Sequence, residues 1–213
     1  RSSVIYGWRR EEILVLTSGY SILIGIFHTF FSKNFERLPR TVHFGYLDAI
    51  LVKPVDSQFL VSLGVVNYTS IFRIFLAMGF LWYFMGQLST KLLLADILWF
   101  VVLLACGLML LYSIWFIVTT SVMWFSKMSN IVDLMYSISG LTRFPQEMYR
   151  QFADYIFVFF LPFVLMVSTP VKFLIQKASW LDVIALLSLT AICFGISRKF
   201  WKFALRSYTS ASS

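Results

Sequence analysis

The chain is short of charge. Of its 213 residues only 13% are charged, while 59% are hydrophobic and 19% aromatic; a soluble domain averages about 25% charged. That imbalance excludes an ordinary soluble domain. Acids are scarcer than bases, 10 against 18, which leaves a net charge of +8. The excess does not point to nucleic acid. The bases cluster beside apolar runs, as topology signals and anionic-lipid contacts do, instead of forming a basic face interleaved with aromatics. Cysteine is limited to Cys106 and Cys193. Both lie inside apolar runs, where they read as small buried residues and not as a disulfide or metal pair. His28 has no second His or Cys near it, so no metal site is expected. The sequence also lacks a Walker motif, a G-x-S-x-G and an H-E-x-x-H. Glu147 and Asp154 are too loosely placed to form an acid/base pair. No catalytic residues are nominated, and the chain does not read as an enzyme.

What the sequence has is long apolar runs, at roughly 13–32, 59–85, 92–126, 155–175 and 181–199. Runs of 18 or more apolar residues are the signature of spanning helices, whereas a β-barrel would show alternating segments of about ten residues. The fold class is therefore all-α, a polytopic helical membrane protein forming one transmembrane domain over 1–213 with about five spans. The third run exceeds one upright span and must tilt, kink or project from the bilayer.

Lysine and arginine set the expected orientation. The tail carries Arg198, Lys199, Lys202 and Arg206 with no acid, which makes the C-terminus cytoplasmic. The connector 33–58 carries Lys33, Arg37, Arg40 and Lys53, whereas 86–91 carries only Lys91. Counting back from a cytoplasmic tail puts 33–58 inside, 86–91 outside and the opening "RSSVIYGWRREE" outside. An outside start implies one more span before Arg1. Two arrangements remain open for 128–175. Either 128–142 is interfacial and 155–175 spans, or 128–142 spans and 145–175 dips in from the outer face as a broken helix around Pro145, Tyr149, Pro162 and Pro170. The second is preferred, with "SGLTRFP" (139–145) as the outer turn.

The connector includes "GYLDAILVKPVDSQFL" (45–60), an amphipathic stretch with apolar Leu47, Ile50 and Leu51, an acid at Asp48 and a base at Lys53. Pro39 and Pro54 bound it, and a new helix starts at Asp56-Ser57. From composition it is either a helix in the headgroup layer or a helix that transmits force to a cytoplasmic partner. This run resembles the pattern G-x-L-D-x-x-L-x-[KR]-P between the second and third spans of bacterial ABC exporter permeases of the second type. More narrowly, it resembles the six-span permease family associated with viologen-exporter-like systems. "YGWRREEILVL", "FPQEMYRQFADYIFVFFLPFVLMVSTP" and "RSYTSASS" resemble that family's second-span opening, its proline-rich signature and its R-x-Y-S-S-A tail, Thr209 being a departure.

The resemblance implies a transporter subunit that forms the translocation path, present here as five of six spans with the first missing. It implies a cytoplasmic ABC ATPase dimer as partner, which would carry ATP and Mg, so that this chain binds no cofactor itself. It also implies a second permease, identical or related, and residence in the bacterial inner membrane. Residues 43–54 would be the coupling helix, seated on the ATPase through Phe44, Gly45, Leu47, Asp48, Leu51, Lys53 and Pro54. The alternatives from other classes are a non-transporting scaffold subunit of a membrane complex and an intramembrane enzyme.

Remaining polar residues in the spans are candidates for the pore or the dimer interface. Arg73, near the middle of run 59–85, is costly in a membrane unless it faces a cavity or partner, or else snorkels or pairs with Asn67 or Asp96. Thr119, Thr120, Ser121 and Trp124 form a polar-aromatic patch, of a kind that more often packs helices together than binds a substrate.

Overall fold

The computed structural model describes residues 7–88, 93–124, 129–149 and 154–208. Lys91 and the tail beyond Tyr208 lie outside the described residues. The architecture is all-α. A continuous helix Arg10–His43 comprises α1 (Arg10–Phe27), a π-turn (His28–Ser32) and α2 (Lys33–His43). A short α3 (Leu47–Leu51) and α4 (Ser57–Leu63) lead into α5 (Ile71–Gln87). Then come α6 (Leu94–Thr120), α7 (Ser129–Ser139), α8 (Gln146–Tyr149), α9 (Asp154–Leu174) and α10 (Trp180–Ser207).

Among the described residues, 4 helices are long and apolar enough to cross a membrane: Arg10–His43, Tyr68–Gln87, Leu94–Met123 and Trp180–Ser207, with Leu161–Leu174 as a shorter apolar helix. Helix α6 is central, packing against α9 and α10, while α1 packs chiefly against α5. The core is an aromatic cluster: Phe27 lies 5.1 Å from Trp115, Phe35 5.8 Å from Phe116, and Phe116 5.2 Å from Trp201, centre to centre. Glycines permit the closest helix contacts, as is usual where lipid supplies no hydrophobic drive. A Cβ at Gly25 would lie 2.7 Å from the Ile74 side chain, and one at Gly19 2.8 Å from Val171.

The helices alternate in direction, so their polar ends collect at two poles. At one pole are Trp8, Glu12, Asp96, Glu147, Lys172, Lys177 and Asp182, joined by hydrogen bonds and ion pairs. Side-chain carboxylates start two helices there by taking the backbone N–H three residues earlier: Glu12 from Arg9 at 2.9 Å and Asp96 from Leu93 at 3.1 Å. This suits the positive end of a helix dipole. At the other pole the connector meets the end of α10.

Three expectations about segment boundaries are corrected. The first helix runs on through Lys33 to His43, so Pro39 lies inside α2 and does not bound the amphipathic stretch. A mid-helix proline costs about 3 kcal/mol, but the fully buried Phe35 and Leu38 each return about 1.5–3 kcal/mol. Run 59–85 is not one helix: α4 stops at Leu63 and α5 starts at Ile71. The reason is Asn34, whose amide captures the backbone at the break. Its side chain accepts from Val65 N at 2.9 Å and donates to Val65 O at 2.8 Å, and Asn67 N donates to the π-turn carbonyl of Thr29 at 2.8 Å.

The third correction concerns 129–174. Residues 139–145 are not an outer turn, because Ser139 accepts from the buried Trp115 indole at 3.1 Å and Arg143 lies over the Tyr20 ring. From there the chain reaches Glu147 beside Trp8, and α9 returns to the same pole, where Lys172 meets Glu147 at 2.7 Å. Pro162 and Pro170 do not break α9; both lie inside it. Pro145 is buried just before α8, and the buried Tyr149 closes that turn by donating to Leu141 O at 2.9 Å.

Candidate functional site

The connector forms an elbow at the pole shared with the end of α10. Helix α2 ends because Gly45 adopts φ +73, a left-handed conformation that favours glycine. The N–H groups of Phe44 and Gly45 close the last turn onto Arg40 O and Val42 O at 3.0 and 3.2 Å. The chain then makes the single turn of α3. The expected coupling helix 43–54 is thus reduced to Leu47–Leu51, with His43 in α2 and Lys53 and Pro54 in the exposed turn that follows. A proline there prevents α3 from continuing. Asp56 restarts the chain as the cap of α4, accepting from Phe59 N at 3.0 Å.

The faces of α3 differ from the expectation. Leu47 is 0% exposed, so it anchors α3 to its own protein and is not available to a partner. Asp48 is half-buried and faces inward: burial, and next the Asp48 carboxylate, push the Tyr208 phenol above its ordinary range. The available apolar surface belongs instead to Phe44 (61% exposed), Tyr46 (66%), Val52 (85%) and, to a lesser extent, Leu51 (38%). Sequence periodicity missed Tyr46 and Val52 because it treated 43–54 as one regular helix.

Behind α3 the elbow is fastened to two spanning helices. Arg198 of α10 holds Asp56 with both guanidinium nitrogens, one at 2.6 Å, and also donates to Gln58 at 3.0 Å. Gln58 donates to Tyr112 Oη on α6 at 3.1 Å, and Ser62 Oγ lies 2.9 Å from the same oxygen. Trp201 of α10 donates to Ser57 at 3.0 Å. Gln58, Ser62 and Trp201 are buried. The hydrogen bonds from Arg198 hold the Asp56 carboxyl at about 2, against a modest upward push from burial. A cleft of about 580 Å³ opens beside these groups, walled by Phe31, Phe59, Leu63, Met109 and Phe194. Sequence reading used Arg198 only as a topology signal and Asp56 only as a helix start; their separation of 142 residues left nothing to join them.

The residues expected at a pore or dimer interface do not form one patch. Arg73 is exposed in the first turn of α5 and not in the middle of a span, since the break at 64–67 moved the helix start. Asn67 serves the break, donating to Ser70 and accepting from Thr69, and Asp96 serves α6 and Gln176, so neither is the partner expected for Arg73. Thr119 is buried and donates to Trp115 O at 2.8 Å; Thr120 is buried beside it. They fill the bundle interior. Trp124 packs on Phe200 and Phe203 of α10. His28 stacks on Tyr136, centroids 5.4 Å apart, and among the described residues no group of His, Cys, Asp and Glu could hold a metal ion.

Comparison with known proteins gives one result. The family described as "ABC-2 family transporter protein" matches residues 1–212. No curated protein and no solved structure matches the chain.

Proposed function

We propose a role that starts from one premise: the chain belongs to the ABC-2 transporter family. It is a multi-pass membrane protein and the permease subunit of an ABC transporter. The finer reading is that of an exporter half whose elbow docks a separate cytoplasmic ATPase, which carries the ATP and Mg. A second permease, the same or related, completes the path. The pole holding α3 and the end of α10 would then face the cytoplasm of a bacterial inner membrane, in keeping with its Lys33, Arg37, Arg40, Lys53, Arg198, Lys199, Lys202 and Arg206.

The observation that carries this reading is the exposed apolar set Phe44, Tyr46, Leu51 and Val52 on an elbow with both ends fixed. Apolar side chains on a short rigid element suit burial in a groove of a partner, where a few aromatic and aliphatic anchors supply most of the binding energy. The test replaces Tyr46 and Val52 by Asp and measures whether the ATPase co-purifies with the permease in detergent. Both side chains point away from the bundle, so the variant should elute as a normal particle and lose the ATPase. Full retention of the ATPase would make the elbow a headgroup-layer element and end the docking reading.

A further inference from the structure

We propose that Arg143, seated between Tyr20 and Phe144, is a site at membrane depth for the oxyanion of an amphiphile, a phosphate or carboxylate on an apolar body. This rests on the transporter reading above and adds the class of molecule that the chain recognises. The first observation is depth. Arg143 lies over the Tyr20 ring, 5.9 Å from its centre, and Tyr20 belongs to the continuous helix Arg10–His43. At about 1.5 Å per residue, Tyr20 is about 12 Å along that helix from Glu12 at one pole. It is roughly 24 Å from Glu36 toward the other. The hydrocarbon layer is about 30 Å thick, so the guanidinium lies within it. Placing 139–145 at an outer turn hid this, because an arginine there needs no partner.

The second observation is direction. Arg143 Nε donates to Gly140 O at 2.8 Å, and a Cβ at Gly140 would lie 2.8 Å from Nη2. Gly140 follows Ser139, which takes the Trp115 indole deep in the bundle. The guanidinium therefore folds back, away from Glu147 and its pole, into room that a glycine leaves open. The third is an uncompensated charge. Arg143 is exposed, and among the described residues it has no ion-pair partner and no hydrogen bond beyond that of Nε. Glu12, Asp96, Glu147 and Asp182 are engaged at their own pole, and Glu36 accepts from Tyr136 nearer the other. Arginines inside a membrane are costly, and those that occur face a cavity, a partner or a substrate. The rings of Tyr20 and Phe144, the latter centred 5.7 Å away, hold the face of the guanidinium. Its edge stays free, and that edge matches a carboxylate or phosphate two donors at a time. A second copy related by a twofold axis along the membrane normal would bring Arg143 to the same level, like charge toward like. An anion complements that arrangement, and direct contact does not.

The test places the permease–ATPase complex in vesicles of digalactosyldiacylglycerol, whose headgroup has no phosphate. ATP hydrolysis is measured against added dodecyl phosphate, dodecyl maltoside and dodecyltrimethylammonium. Dodecyl phosphate should stimulate saturably, and the neutral and cationic chains should not. Arg143→Gln should raise the half-saturating concentration about ten-fold or more, the worth of one charge-assisted hydrogen bond, with the ATPase still co-purifying. Arg143→Lys keeps the charge without the fork and should fall between. Vesicles of phosphatidylglycerol separate two sources of the anion. Stimulation there without any probe, lost in Arg143→Gln, assigns the phosphate to a membrane lipid, and its absence assigns it to a solute. Equal responses of wild type and Arg143→Gln overturn the site, as does wild type that ignores dodecyl phosphate or answers the cationic chain equally. If Arg143→Gln turns paired permeases into single ones, the face is a contact between copies and the site is likewise overturned. A wild-type complex that fails to retain the ATPase refutes the docking reading instead. Saturable binding of radiolabelled dodecyl phosphate to the permease, compared with Arg143→Gln, decides the site even then.

Discussion

The carbonyl of Met166 on α9 lies directly against Gly107 on α6: a Cβ at position 107 would sit 2.3 Å from that oxygen. The reason is in the sequence four residues on. Pro170 has no N–H, so it cannot supply the helical hydrogen bond that Met166 O would otherwise accept. The freed carbonyl turns to a neighbour with no side chain. Proline and glycine on different helices therefore form one device, which lets α9 stay helical through Pro170 and lets α6 approach it closely.

Gly107→Ala should accordingly cost about 2–3 kcal/mol or more, at the upper end of overpacking, because the atom in the way is backbone. Pro170→Ala restores the missing donor and draws the carbonyl back into α9. The pair should then be non-additive, Pro170→Ala relieving part of the cost of Gly107→Ala. Thermal unfolding of the two single variants and the double variant in detergent measures this; strict additivity would refute the device.

Asn34 offers a second test. Replacing it by Leu keeps the volume but strips the side-chain partner from Val65 N, Val65 O and Phe30 O, so three backbone groups each lose a bond. Each such loss is worth about 1–3 kcal/mol when buried. Asn34→Asp keeps the acceptor for Val65 N and loses the donor to Val65 O, and should fall between. Limited proteolysis at 64–67 should rise in the order Asn, Asp, Leu. Unchanged cleavage in Asn34→Leu would show that the break is held by something else.

Composition and hydropathy made the membrane class, the helical fold and the location of most helices legible, because long apolar runs have few physical alternatives. The elbow's position was legible too, through Pro54 and the charges around it. Its geometry was not. Whether α2 runs through Pro39 depends on Phe35 and Leu38 being buried, and whether 59–85 breaks depends on Asn34, 31 residues away from Val65. Leu47 and Leu51 look alike in sequence; only the packing of α3 on its own bundle buries the first and exposes the second. Glu147 was dismissed for the same reason, since its partners Trp8 and Lys172 are distant in the chain.

The Asp56–Arg198 clamp should be insensitive to pH across the neutral and mildly acid range. Asp56 has its carboxyl lowered from 3.8 to about 2, first by the hydrogen bonds from Arg198. A depressed carboxyl contributes stability that is fully present above its unfolded value and is lost as pH falls through the folded one. The contribution is therefore complete above about 4 and disappears near 2. Infrared difference spectra of wild type against Asp56→Asn should keep the carboxylate band down to pH 3; protonation between pH 4 and 5 would contradict the clamp.

At the opposite pole Lys172, 7% exposed, sits between Glu147 at 2.7 Å and Asp182 at 3.4 Å. Burial alone would push the Glu147 carboxyl up, but hydrogen bonds from Lys172 and Trp8 outweigh it and hold it below its usual range. This ties α8, the start of α10 and the start of the first helix to the end of α9. Lys172→Met keeps the stem and removes the charge, leaving two carboxylates facing each other without their cation. Loss of one partner of a buried pair costs up to about 3–5 kcal/mol, and partial exposure of Glu147 reduces this to about 1–3 kcal/mol. Adding Glu147→Gln removes one of the two stranded charges while leaving an acceptor for the Trp8 indole, so the double variant should recover part of the loss. Melting temperatures of Lys172→Met, Glu147→Gln and the double variant decide it: if the double variant melts lower than Lys172→Met, the acid at 147 is not there to meet the lysine.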